Sequence, residues 1–216
     1  MASFNQALAL GAQAIELDVR CVDGRLLVFH DETLDRTTNG TGLLYAHSVT
    51  QLRRFDAGEG QPIPFLEEVC ALVDRRAAIN IELKDAASVP AVVALVVRCW
   101  QQGWAQNSLW LSCFSHEILQ QIRACHATVP IGVLVEDRVG PAIELARQLR
   151  AVALHPSRKL VTRELVERAH HLNLAVYVYT VNEPEEIGRL RQWGVDGVFC
   201  NYPERVREVA AGLVVK

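Results

Sequence analysis

Ala14-Ile15-Glu16-Leu17-Asp18-Val19 alternates apolar and acidic residues without a break, which reads as one β-strand. Side chains in a strand change face with period two, so Ile15, Leu17 and Val19 point one way while Glu16 and Asp18 point the other. The same rule, applied to Ile81-Glu82-Leu83-Lys84, puts Glu82 beside Lys84 and opposite Ile81 and Leu83. Between the two lies Phe29-His30-Asp31, at the end of another apolar run. Any one of these strings alone describes the wet face of a half-exposed strand. Together they bring the carboxylates of Glu16, Asp18 and Glu82, a histidine and a lysine to the ends of apolar runs. Carboxylates that converge repel one another unless a cation lies between them, and an oxygen-only donor set suits a hard ion such as Mg²⁺ or Ca²⁺. The neighbouring lysine points to an anionic substrate, so the set is suited to metal-assisted cleavage of a phosphoester.

Outward from this stretch, β-branched apolar runs alternate with helical patterns, the mark of parallel β/α units. A helix over 3–10, closed by Gly11, leads into the strand at 14–19, and Asp23-Gly24 turns the chain into 25–30. Residues 31–60 are rich in turn formers, and so long an excursion suggests a functional loop. Further strands are expected at 78–83, 109–113, 131–135, 152–154, 175–179 and 197–200. Helices are expected at 65–74, 89–102, 115–124, 140–148, 162–172 and 183–193. Leaving aside the hairpin partner at 25–30, seven strands are of parallel type. A closed TIM (β/α)8 barrel needs eight. The fold expected is therefore that α/β barrel with its first β-strand absent from this chain, as one domain over residues 1–216.

The 216 residues are half hydrophobic, ample for a large core, and the net charge of −3 gives no electrostatic case for nucleic acid. The six cysteines contain no Cys-x-x-Cys and signal neither a zinc site nor a disulfide framework. They read as mostly buried thiols of a reducing cytoplasm. The longest apolar run, 89–97, is too short to span a bilayer, so no stable membrane insertion is expected.

Ile15-Glu16-Leu17-Asp18-Val19, Asp23-Gly24, Phe29-His30-Asp31, Leu34-Asp35-Arg36-Thr37-Thr38-Asn39-Gly40 and Ile81-Glu82-Leu83-Lys84, in that order and spacing, resemble the glycerophosphodiester phosphodiesterases. The likeness continues through Pro62-Ile63-Pro64-Phe65, Tyr179-Thr180-Val181-Asn182 and Trp193-Gly194-Val195-Asp196-Gly197, and is greatest to the bacterial cytosolic branch. It implies a TIM barrel, one divalent cation, and hydrolysis of a small-molecule glycerophosphodiester to glycerol 3-phosphate and an alcohol. By the same resemblance Glu16, Asp18 and Glu82 are metal ligands, His30 is one of two catalytic histidines, Lys84 holds phosphate and Tyr179 lies near the glycerol. A His-Arg-Gly motif that carries the second histidine and an arginine, and a Pro-Glu-Asn-Thr stretch after it, have no counterpart here. Met1 stands where the residue after that threonine belongs, so a strand upstream of Met1 is expected to complete the barrel and restore full activity. The competing readings are a non-catalytic phosphodiester-binding protein and a related phospholipase barrel.

Other residues read first as structural. His155, next to Pro156, is placed on the barrel rim, with a loop role or a place in the substrate shell. His170 and His171 face solvent on a polar helix, Ser115 caps a helix, and Asn182 caps the one that begins at Pro184. Tyr179 shares a face with Tyr177, and core packing is as consistent with it as substrate contact.

Overall fold

The hairpin at Asp23-Gly24 forms as its sequence dictates. Both residues have positive φ, 49° and 73°, as the tightest hairpin turns require, and Gly24 adopts it at no steric cost. The turn joins β1 (Ala14–Val22) to β2 (Arg25–Val28) antiparallel, with Val22 opposite Arg25. The computed structural model describes residues 1–212, so residues 213–216 of the expected domain lie outside the described residues. α1 (Ala2–Ala9) precedes β1 and is closed by Gly11, whose N–H donates to the Leu8 carbonyl at 3.0 Å.

Six more strands follow: β3 (Ala78–Leu83), β4 (Leu109–Cys113), β5 (Ile131–Val135), β6 (Ala153–Pro156), β7 (Ala175–Val178) and β8 (Gly197–Val198). All pair in parallel, in the order β2-β1-β3-β4-β5-β6-β7-β8. This is the α/β architecture of a TIM barrel. Among the described residues no pairing joins β8 to β1 or β2, so the ring of seven parallel strands is not closed by hydrogen bonds.

The register explains why strands that carry carboxylates are nonetheless buried. Asp18 pairs with Glu82, Glu82 with Ser112, and Ser112 with Gly132, so these even-numbered positions share the inner face. The odd positions (Ile15, Leu17, Ile79, Ile81, Leu111 and Val133 among them) turn outward into the main core. There they meet the helices α3 (Leu66–Val73), α4 (Val89–Gln101), α5 (His116–Cys125), α6 (Val139–Gln148), α7 (Arg163–His171) and α8 (Pro184–Gln192).

Several expectations need correction. The excursion at 31–60 is folded: it contains a 3₁₀ turn, Leu44–Ala46, and the short α2 (Val49–Leu52). Leu34, Leu44, Leu52 and Ile63 build a second small core with Val22, Leu27 and Phe29 of the hairpin. A further helix, α9 (Pro203–Ala210), opens on proline at a position where no N–H is needed. Its Arg207 Nη1 donates to the Leu10 carbonyl at 2.6 Å, tying it to the chain just before β1. Asn182 is not a helix cap; its side-chain carbonyl accepts the Asn201 N–H at 2.8 Å, and Glu183 precedes α8 instead. Ser115 does cap α5, and Thr162 caps α7 in the same way.

His155 is not on the rim. It pairs with Leu134, an inner-face position of β5, and so turns inward, where it is 0 % exposed against Tyr177 and Phe199, with ring centroids 5.6 and 5.2 Å away. Burial pulls its pKa down to about 3 and keeps the ring neutral. Gly132 of β5 lies against this ring so closely that a Cβ would come within 2.5 Å of it. Gly132→Ala is therefore expected to lower stability by about 1–3 kcal/mol through overpacking, read as a lower midpoint of urea unfolding; an unchanged midpoint contradicts this packing.

Candidate functional site

Parallel pairing of β1 and β3 sets Asp18 directly beside Glu82, and the pleat places Glu16 on the same face. One oxygen from each of the three carboxylates lies within 4.8 Å of the other two. Lys84, just past the end of β3, is fixed by its backbone N–H, which donates to the Val19 carbonyl at 3.0 Å. Its ammonium reaches back to Asp18 Oδ1 at 3.0 Å and hydrogen-bonds Glu82. Four of the expected site residues are thus brought together at the ends of two adjacent strands.

The electrostatics show how crowded this corner is. Glu16 is pushed up to about 8, first by desolvation among the surrounding atoms and then by the charges of Asp18 and Glu82, with Lys84 opposing. Because solvent still reaches the Glu16 side chain, the repulsion is the firmer part of that shift. Burial also raises Glu82, against the pull of Lys84. Burial alone would lower Lys84, but its bonds to Glu82 and Asp18 outweigh that and hold it above its ordinary value. Three carboxylates and one ammonium leave a formal charge of −2, which one divalent cation would cancel. The donor set fits a hard metal.

His30 follows β2 and lines the same open cleft of about 280 Å³ as Glu16 and Asp18. Its Nδ1 is 2.6 Å from Asp31 Oδ1, and Arg36 holds the same carboxylate through two bonds of 2.6 and 2.8 Å. Those contacts, the arginine first, keep Asp31 well below the usual carboxylate range. An ionised Asp31 accepts only, so the Nδ1 of His30 must donate and the neutral ring carries its lone pair on Nε2. The His30 backbone is fixed by Arg20, buried at 7 % exposure, whose Nε and Nη2 donate to the His30 carbonyl at 3.1 and 2.9 Å. Arg20 also contacts Tyr45 Oη, which donates to Asp85 Oδ2 at 2.7 Å, while Asp85 accepts the Cys21 N–H at 2.9 Å. Arg20, Asp31, Arg36, Tyr45 and Asp85 were not marked by sequence reasoning. Only Asp31 and Arg36 lie within strings that could have drawn attention to them.

Tyr179 does not line this cleft. Its hydroxyl donates to the Val135 carbonyl at 3.0 Å, and its ring meets Phe114 edge-on at 5.9 Å. Burial raises its pKa, with Glu136 and Glu82 adding to the rise, which sets it near the site without placing it in the cleft. Of the remaining histidines, His170 Nε2 pairs with Asp196 at 2.8 Å and His171 Nδ1 with the Glu167 carbonyl at 2.7 Å, away from the carboxylates.

A β/α barrel whose strands gather acidic side chains, a lysine and a histidine has the arrangement of the enzymes that work at the carboxyl-terminal rim of such barrels. The model of the glycerophosphoryl diester phosphodiesterase family matches residues 1–205, and the chain belongs to that family. It is 32% identical to a glycerophosphodiester phosphodiesterase of Caldanaerobacter subterraneus, over 94% of this chain and 88% of that one. It is 33% identical to one of Bacillus altitudinis, over 97% and 91%. Among solved structures, a phosphodiesterase of Oleispira antarctica in complex with the product sn-glycerol-3-phosphate superposes with a TM-score of 0.87 at 27% identity, covering 97% of this chain and 90% of that one.

Repulsion at Glu16 predicts a pH-dependent stability. A carboxyl whose folded pKa is raised carries a penalty that is absent below its unfolded value near 4.5 and complete above about 8. In metal-free protein, Glu16→Gln is expected to raise the melting temperature in alkaline buffer and to leave it unchanged near pH 4 (about half a unit below the unfolded value). Equal calorimetric shifts at both pH values contradict the repulsion.

Proposed function

We propose that this protein is a metal-dependent glycerophosphodiester phosphodiesterase that releases glycerol 3-phosphate and an alcohol. The observation that carries this reading is the convergence of Glu16, Asp18 and Glu82 with Lys84, beside a cleft that His30 also lines. The product bound to the Oleispira antarctica relative supports the substrate class. Glu16, Asp18 and Glu82 would hold one divalent cation, Mg²⁺ or Ca²⁺, which when bound supplies Lewis-acid polarisation of the phosphoryl oxygens. Lys84, held in its charged form by its carboxylate neighbours, would bind a phosphoryl oxygen and offset charge developing on it. His30 would exchange a proton through Nε2 with the attacking group or the departing alcohol, its ring oriented by Asp31 and its backbone by Arg20. Tyr179, beside the cleft rather than in it, would border the glycerol side together with Phe114. The main core, which joins residues from β1 to α9, supports reading residues 1–216 as one domain. The six unpaired cysteines support a cytoplasmic location, and no described helix is long and apolar enough to cross a membrane.

Glu82→Gln and chelation by EDTA are each expected to abolish release of choline from glycerophosphocholine. His30→Ala is expected to lower kcat by about 10²–10⁴ while leaving cation binding intact. Wild-type turnover in EDTA contradicts the metal role, and an unaffected His30→Ala contradicts the proton-transfer role.

Among the described residues His30 is the one histidine lining the cleft. A reaction that uses two such groups loses about 10²–10⁴ in rate when one is lacking. Turnover is therefore expected to fall short of the Caldanaerobacter enzyme by about that factor, at saturating Mg²⁺ and the same substrate. Equal rates contradict it. The single histidine also favours a second reading, phosphodiester binding without turnover. Saturable binding of glycerophosphocholine with no choline released selects that reading.

A further inference from the structure

We propose that Tyr45 and Asp85 are positioning residues that hold the proton-transfer histidine in place against the phosphate-binding lysine, a task that rests on the roles given above to His30 and Lys84. The Arg20 guanidinium donates to the His30 carbonyl through Nε and Nη2 at 3.1 and 2.9 Å, and its third nitrogen, Nη1, donates to the Tyr45 hydroxyl at 3.4 Å. That hydroxyl in turn donates to Asp85 Oδ2 at 2.7 Å. Asp85 directly follows Lys84 in the chain. From His30 to Lys84 there is thus one continuous path, with a hydrogen bond at each side-chain step and a peptide bond at the last.

The lysine end of this latch is fixed. Asp85 also accepts the Cys21 N–H on Oδ2 at 2.9 Å and the Ser88 N–H on Oδ1 at 2.8 Å, so its carboxylate keeps two bonds even without Tyr45. Tyr45 has a firm base of its own. It belongs to the 3₁₀ turn of the excursion, next to Leu44, which is buried in the small core and whose N–H donates to the Glu32 carbonyl at 2.9 Å, two residues beyond His30. The Tyr45 ring is 49 % exposed, so what this residue contributes is its hydroxyl more than its packing. Burial, with the Asp85 carboxylate, raises the Tyr45 pKa, and the hydroxyl keeps the proton it donates. The movable end is therefore the histidine. Without the hydroxyl, Arg20 Nη1 loses its partner and the guanidinium is free to shift, carrying the His30 carbonyl with it. A displacement of about 1 Å at a reacting group costs up to about 10²-fold in rate.

Tyr45→Phe removes the hydroxyl and keeps the ring. With glycerophosphocholine at saturating Mg²⁺, kcat for choline release is expected to fall about tenfold, while Leu43→Ala, on the same excursion and 57 % exposed, leaves it unchanged. In a His30→Ala background the Tyr45→Phe loss is expected to shrink below about twofold, because no ring remains to be positioned. A loss of the same size in both backgrounds, an unchanged kcat in Tyr45→Phe alone, or an equal loss in Leu43→Ala overturns the proposal. Wild-type protein that binds glycerophosphocholine but releases no choline defeats the turnover reading instead, and ¹⁵N NMR then decides the latch. The Asp31 amide shares its peptide bond with the His30 carbonyl, so Tyr45→Phe is expected to move the Asp31 resonance as Arg20 loosens its grip. An Asp31 resonance left in place overturns the latch.

Discussion

Three carboxylates pressed together at the ends of two parallel strands are the constraint around which this structure is arranged. The pairing of Asp18 with Glu82 puts them side by side, and nothing within β1 or β3 lets them part. Lys84 offsets part of the cost but not all: burial first, and then the neighbouring carboxylates, hold Glu16 and Glu82 above their ordinary values. A slip of β3 by one residue would set Ile81 or Leu83 beside Asp18 and turn Glu82 outward among the helices. Register and site are therefore one constraint, enforced by apolar burial on the outer face and exploited on the inner one.

His30 answers to a different support. It stands beyond the end of β2, where strand pairing no longer fixes it, and it is held from both sides. The Arg20 guanidinium grips its carbonyl, and Asp31, itself held by Arg36, grips its ring. Arg20 also reaches Tyr45, which bonds Asp85 beyond the end of β3, so the long excursion and the strand ends are tied through one polar network. The small core under that excursion gives its residues a stable base. A folded excursion in this place explains how a histidine outside the sheet can keep its station beside a strand-borne carboxylate cluster.

Most of the framework was legible because strand period and turn chemistry are local. The alternation at 14–19 and at 78–84 placed Glu16, Asp18, Glu82 and Lys84, and Asp23-Gly24 fixed the hairpin. What escaped was set by tertiary contact. Leu34, Leu44, Leu52 and Ile63 are too widely spaced among polar residues to show periodicity, so their common core was hidden. Pro156 drew His155 to the rim in a reading of the sequence, whereas the register of β6 turns it into the barrel. Asn182 has the chemistry of a cap but spends it on Asn201.

The central claim is that Glu16, Asp18 and Glu82 coordinate a single hard cation. Anomalous diffraction from crystals soaked in Mn²⁺, a stand-in for the native ion, tests it most directly. One strong peak at about 2.0–2.6 Å from oxygens of all three carboxylates is the result expected, since hard divalent ions sit at such distances. A map with no peak there, or with manganese bound elsewhere while the carboxylates keep Lys84 as their sole counter-ion, would contradict the account.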